Sequence, residues 1–101
     1  MPFMVVADDA AGVGELRARL RPAHLDYLDA NLDRLIGAGA RLSDDGLTPL
    51  GSLYLLATDN RAEAEAFVAN DPYAKAGVFG RIEATRWRRG VLDHKSFLSR
   101  G

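Results

Sequence analysis

The chain has 101 residues, 48% of them hydrophobic, which is enough for one compact core and too little for two. Thirteen Lys and Arg against fourteen Asp and Glu give a net charge of -1, so the composition carries no electrostatic footprint for nucleic acid. There is no cysteine, which excludes disulfides, thiolate nucleophiles and Cys-bearing metal sites and suits a reducing compartment, with the cytoplasm as the expected location.

The opening "MPFMVVADDA" has a short apolar run with no basic residue before it and two aspartates after it, a poor signal peptide. No other apolar run approaches the roughly 20 residues of a membrane-spanning helix, and a soluble protein is expected. Phe3 to Asp8, "FMVVAD", is short, apolar and β-branched in its middle, and reads as a central strand. "DDAAGVG" then reads as a loop. In the next stretch Leu16 and Leu20 are four apart, and Leu25, Leu28, Leu32, Leu35 and Ile36 extend a helical stripe. Because Pro22 has no N–H to donate, the reading is a short helical segment from about Glu15 followed by a main helix from Pro22 to Gly37, ended by Gly37 and Gly39.

"ARLSDDGLTPLGSLYLLATD" reads as two strands around a turn at Asp45 and Gly46, with Pro49 blocking extension of the first and Ser52 to Thr58 forming the second. A second helix begins at Asn60, a capping residue with Glu63 three positions on, and its thin buried face is assigned to Ala62, Ala66 and Phe67. A final strand is expected from Val78 to Arg88. The order strand, helix, strand, strand, helix, strand predicts an α+β, ferredoxin-like βαββαβ fold, a four-stranded antiparallel sheet with two helices on one face. Apolar residues in "MVV" and "YLL" are left on the other face, so sheet-to-sheet packing in a homodimer, or a higher homo-oligomer, is expected.

The candidate chemistry is sparse. His24, in "RPAHLDYL", lies about 60° off the centre of the leucine stripe at 100° per residue, at the flank of the helix, where a structural histidine and a functional one are both admissible. His94, in the tail, is the weaker candidate. Asp71 in "DPYAKAGVF" is followed by Pro72, the pairing expected of a helix cap, yet a carboxylate fixed by backbone donors keeps a lone pair with which to orient an imidazole. Ser52 opens a strand after Gly51, whose lack of a side chain leaves space for close approach. Arg17 and Arg21 are four apart and form an anion clamp or a solvated helix face, provided the helix runs through Pro22. No nucleophile elbow, phosphate loop or dinucleotide fingerprint occurs, and the histidine spacing does not suit zinc. No cofactor or metal is expected.

"RPAHLDYL" (Arg21 to Leu28), "GS" (Gly51, Ser52), "AEAEAFVANDPYAKAGVF" (Ala62 to Phe79) and "RW" (Arg86, Trp87) together resemble the YciI-like, or YCII-related, domain of bacteria. The resemblance covers the chain to about Trp87, so residues 1–90 are taken as the domain and 91–101 as a C-terminal tail that wraps a neighbour or is disordered. It implies the fold of the dimeric α/β-barrel superfamily. It also implies that His24 and Asp71 meet in a cleft as a proposed catalytic pair, with Arg17, Arg21, Ser52 and Tyr73 nearby to bind substrate. Two departures stand at expected pocket edges: "AGAR" replaces the family's frequent Ala-Gly-Pro, and "TRW" its Pro-Trp.

Two functions are compatible with these residues. The first is an enzyme in which a His-Asp dyad transfers a proton next to a carbonyl or phenol of a small anionic or aromatic molecule, as an isomerase or a lyase of dehydrochlorinase type. The resemblance points the same way, since relatives include a dehydrochlorinase and lactone isomerases of aromatic catabolism. The second is a non-catalytic dimeric module that binds a metabolite or acts as a scaffold. Exposure separates them: a catalytic pair opens to a pocket, whereas a structural pair is covered by side chains such as Leu28 and Phe79.

Overall fold

The structure is a computed structural model and describes residues 1–99. The chain runs through β1 (Phe3–Asp9), α1 (Gly14–Asp29), a 3-10 turn (Leu32–Arg34), β2 (Leu35–Leu42), β3 (Pro49–Leu56), α2 (Arg61–Ala69), α3 (Pro72–Lys75) and β4 (Phe79–Arg86), and a small hairpin of β5 (Val91–Leu92) and β6 (Lys95–Ser96) follows. The four long strands form one antiparallel sheet in the order β2-β3-β1-β4, with the helices on one face. This is the ferredoxin-like α+β arrangement that the element order implied.

Strand alternation decides which side chains meet the helices. Phe3, Val5 and Ala7 of β1 stand opposite Leu56, Tyr54 and Ser52 of β3, and all six are buried on the helix side. Ala64, Phe67 and Val68 of α2 close over the Phe3–Val5–Tyr54–Leu56 cluster. The buried face of α2 is therefore not the expected Ala62, Ala66 and Phe67; both alanines are exposed and only Phe67 points inward. The cap of α2 holds as read: Asn60 Oδ1 accepts from the Glu63 amide at 3.0 Å. Thr58 completes the box by relay, its hydroxyl donating to Glu63 Oε2 and accepting from the Asn60 amide.

The opposite face of the sheet carries Met4 and Val6 of β1 and Leu53 and Leu55 of β3, all half-buried, flanked by the pairs Asp8–Arg41 and Arg81–Glu83. Of the runs "MVV" and "YLL", Met4, Val6 and Leu55 stand on this open face, while Val5, Tyr54 and Leu56 alternate toward the helices.

The first helix departs most from expectation. It is a single segment that passes through Pro22 and stops at Asp29, and Leu35, Ile36, Gly37 and Gly39 belong to β2. Pro22 forfeits only the bond to the Ala18 carbonyl, and both residues are exposed, so water can take that role. The leucine stripe continues in register into the strand, which is why periodicity alone overran the helix end. β3 begins at Pro49 and ends at Leu56, and β4 ends at Arg86, each a little displaced from its expected bounds.

The tail expected over 91–101 contains the β5–β6 hairpin, and its residues 100 and 101 lie outside the described residues. Asp93 and His94 both have positive φ, 51° and 64°, as a two-residue hairpin turn with right-handed twist requires.

Candidate functional site

The cap at Asp71 is the foundation. Asp71 is the N-cap of α3, its Oδ1 accepting from the Tyr73 amide at 2.8 Å, with Pro72 in the first helical position where its missing donor costs nothing. The helix closes with paired bonds from Val78 N to Tyr73 O and from Gly77 N to Ala74 O, and Gly77 takes φ +83°. A rigid single turn thus fixes both ends of the "DPYAKAGVF" stretch.

Capping uses only one oxygen of Asp71, and the carboxylate is 0% exposed. The other, Oδ2, accepts from the Tyr54 hydroxyl at 2.7 Å and lies 2.7 Å from His24 Nδ1. Three elements, α1, β3 and α3, converge on this one group. Burial, then the charge of Asp71, push the Tyr54 phenol far above its ordinary value, so its hydroxyl remains a donor. With the carboxylate as acceptor, Nδ1 is assigned the proton and a neutral ring keeps its lone pair at Nε2.

His24 is 8% exposed and its ring lines a cleft of about 750 Å³. Among the described residues Nε2 has no hydrogen-bond partner and the only buried side-chain polar atom without one is Trp87 Nε1, so Nε2 is open to the cleft. Tyr73 stacks on the imidazole, centroids 4.1 Å apart and planes 14° from parallel, and its own ring faces the Arg17 guanidinium at 4.6 Å. Burial raises the Tyr73 phenol above its usual range, although Arg17 and Arg21 oppose this.

The two arginines divide their tasks. Arg17 is buried and committed to the protein: it donates to Asp9 Oδ1 at 2.7 Å, to the Gly51 carbonyl at 3.1 Å and to Ser52 Oγ at 3.2 Å. Asp9 is raised from the usual carboxylate range by burial, with Arg17 pulling the other way. Arg21, one turn on, lines the cleft, is exposed, and has no anionic partner among the described residues. Residues 1–88 match the family model described as YCII-related domain. The chain belongs to that family.

Curated relatives agree. The chain is 30% identical to Protein YciI of Escherichia coli O6:H1 and of Shigella flexneri over 96 residues, 88% of this chain and 98% of each relative. Among solved structures it is similar to 5-chloro-2-hydroxyhydroquinone dehydrochlorinase (TftG) from Burkholderia phenoliruptrix AC1100, in complex with 2,5-dihydroxybenzoquinone. The TM-score is 0.80 at 30% identity, covering 89% of this chain and 96% of that one.

Within this YCII-related domain the residues named from sequence do not all reach the cleft. His24, Tyr73, Arg17 and Arg21 line it. Asp71 lies behind His24, and Ser52 lies behind Arg17 as a hydrogen-bond acceptor rather than as part of the wall. His94 sits at the tip of the tail hairpin and is not part of the cleft. Leu28 stands on the cleft wall, while Phe79 meets the edge of Tyr73 at 6.0 Å; neither closes off Nε2.

Of the two departures from the family pattern, only the first borders the site. Ala38, Gly39 and Ala40 line the cleft. Arg86 is turned to Asp59 and the Met1 carbonyl, and the Trp87 amide donates to Pro2. Two site residues went unread in the sequence, Asp9 and Tyr54. Asp9 looked like a loop residue in "DDAAGVG", and Tyr54 was legible only through its two-residue spacing from Ser52, which puts both on the helix side of β3.

Proposed function

We propose that this chain is a small-molecule enzyme that transfers protons through His24, with Asp71 fixing the ring and stabilising the imidazolium that forms. The observation that carries this reading is the asymmetry of the imidazole: Nδ1 is held by a fully buried carboxylate while Nε2 faces a cleft of a size suited to a small ligand. Nε2 takes a proton from a carbon or hydroxyl of the substrate next to a carbonyl; the electron pair left behind either shifts and takes the proton back at another atom, an isomerisation, or expels an anionic leaving group such as chloride while the proton passes to the solvent, an elimination. Arg21 meets the anionic oxygen of the substrate, and the Tyr73 ring and the apolar wall at Leu25 and Leu28 accept its carbon skeleton. The similarity to a dehydrochlorinase supports a hydroxylated, ring-containing anion as the substrate class.

The test is NMR of the His24 ring as 2,5-dihydroxybenzoquinone and small aromatic carboxylates are added, followed by turnover assays with hydroxylated chloroaromatics. The ring signals are expected to move with at least one of these anions. Arg21→Gln should weaken that anion's binding about tenfold and leave stability unchanged, the usual scale for one charged contact. A ring that ignores every probe, with no turnover, replaces this reading with the non-catalytic module.

The open sheet face supports a homodimer. Met4, Val6, Leu53 and Leu55 form its apolar centre, and the Asp8–Arg41 and Arg81–Glu83 pairs give it a polar border. Sedimentation should report a dimer for the native chain and a monomer for Leu53→Glu; a monomeric native chain overturns the assignment.

A further inference from the structure

We propose that Tyr54 is a positioning residue that sets the proton affinity of the His24–Asp71 pair, a role that rests on the reading of that pair as the proton-transferring group. The geometry is a competition for one oxygen. Oδ2 of Asp71 takes the Tyr54 hydroxyl at 2.7 Å and His24 Nδ1 at 2.7 Å, while Oδ1 is committed to the Tyr73 amide at 2.8 Å.

Tyr54 is 1% exposed, its hydroxyl makes no other hydrogen bond among the described residues, and its ring is held edge-on by Phe67 with centroids 6.3 Å apart. A donor placed there withdraws charge from the carboxylate that would otherwise be concentrated on the imidazolium. The phenol therefore moderates the grip of Asp71 on a protonated ring, leaving Nε2 readier to release the proton it has accepted.

The surroundings contain other charges that must be held constant. Arg17, Arg21 and Tyr27 approach from α1, Asp9 from β1 and Tyr73 from α3, while α2 presents the apolar Phe67. None of them is altered when the Tyr54 hydroxyl is removed. Tyr54→Phe keeps the ring and its contact with Phe67, so the difference from the native chain isolates the single hydrogen bond.

The experiment is a pH titration of the histidine ring signals in the full chain, without ligand, for the native protein, Tyr54→Phe and the core variant Val68→Ala, with His94 as an internal reference. Tyr54→Phe is expected to raise the His24 midpoint by about one pH unit, a tenfold tighter hold on the proton, and to leave His94 unmoved. Val68→Ala should lower stability without moving the His24 midpoint, which separates charge tuning from looser packing. If Tyr54→Phe does not fold, 3,5-difluorotyrosine at position 54, a stronger donor of the same shape, should lower the midpoint instead.

Coincident midpoints, a downward move in Tyr54→Phe, or a His24 ring that does not titrate in either form overturns the proposal. Because no ligand is present, this outcome is independent of the probe-binding test of the proposed function: the midpoint can shift in a protein that binds none of the anions, and stay fixed in one that binds them.

Discussion

Replacing Asp71 by Asn changes one atom and should both destabilise the fold and invert the histidine. The native carboxylate is fully buried and serves three donors, the Tyr73 amide, the Tyr54 hydroxyl and His24 Nδ1. An amide has one acceptor oxygen and two hydrogens of its own. If that oxygen keeps the cap on Tyr73, the NH2 group confronts a phenol and a ring nitrogen. The phenol can turn its lone pair inward, but Nδ1 can accept only by giving up its proton, which then moves to Nε2. All three hydrogen bonds lose charge assistance, each worth about 1.5–3 kcal/mol with a charge and about 1 kcal/mol without. The sum is a loss of about 3 kcal/mol, a large part of the roughly 5–15 kcal/mol that holds such a domain together. That loss corresponds to a fall in Tm of about 12 °C or more. Urea unfolding at neutral pH measures the first effect, and long-range nitrogen–proton NMR of the ring reads which nitrogen carries the proton. A variant within about 0.5 kcal/mol of native, with Nε2 still unprotonated, would refute the account of how Asp71 orients His24.

Other consequences are open to direct measurement. A Cβ added at Gly51 would sit 2.0 Å from the Ala7 carbonyl oxygen and 2.9 Å from an Arg41 nitrogen, so Gly51→Ala should cost roughly 3 kcal/mol or more in thermal unfolding, since backbone cannot step aside. Alkaline stability is signed by the tyrosines. The folded Tyr54 phenol lies above its unfolded value near 10, so its contribution is complete below pH 10 and declines above it by about 1.4 kcal/mol per pH unit. Phenolate absorbance should therefore rise together with loss of the fold, and ionisation of Tyr54 in a still-folded chain would contradict its burial. Arg17→Lys should destabilise by about 1–3 kcal/mol, because one ammonium cannot hold Asp9, the Gly51 carbonyl and Ser52 in the same fork geometry.

Most of the fold was legible because its signals are local. Strand-length apolar runs, the Asn60 cap and the Asp71–Pro72 start each act over a few residues, and together they yield the element order. The end of α1 was not legible, since Leu32, Leu35 and Ile36 keep helical spacing while a 3-10 turn takes Leu32 and the strand that pairs with β3 takes Leu35 and Ile36. The buried side of α1 was obscured for a related reason. Periodicity counts apolar residues, but the residues this helix buries are Arg17 and His24, whose partners include groups 34 to 47 positions away. Tyr54 escaped for the opposite reason: it looks like ordinary core, and only its distance to Asp71 gives it a second part.

The way α1 is mounted has a consequence for how the cleft can change. The helix is tied to the rest of the fold by long polar struts, Arg17 to Asp9 and Ser52 of the sheet, His24 to the Asp71 cap of α3, and the Tyr27 hydroxyl to the Phe67 carbonyl of α2 at 2.6 Å. The cleft beside these struts is bordered by Ala18, Leu25, Ala38 and Ala40, which are not part of the core cluster, and by Leu28, which also packs against it. Part of the lining is thus separate from the frame, while Arg17 and His24 belong to both. Those four positions can be exchanged for larger or more polar residues while the frame stands, so the shape of the cleft can be varied without rebuilding the fold.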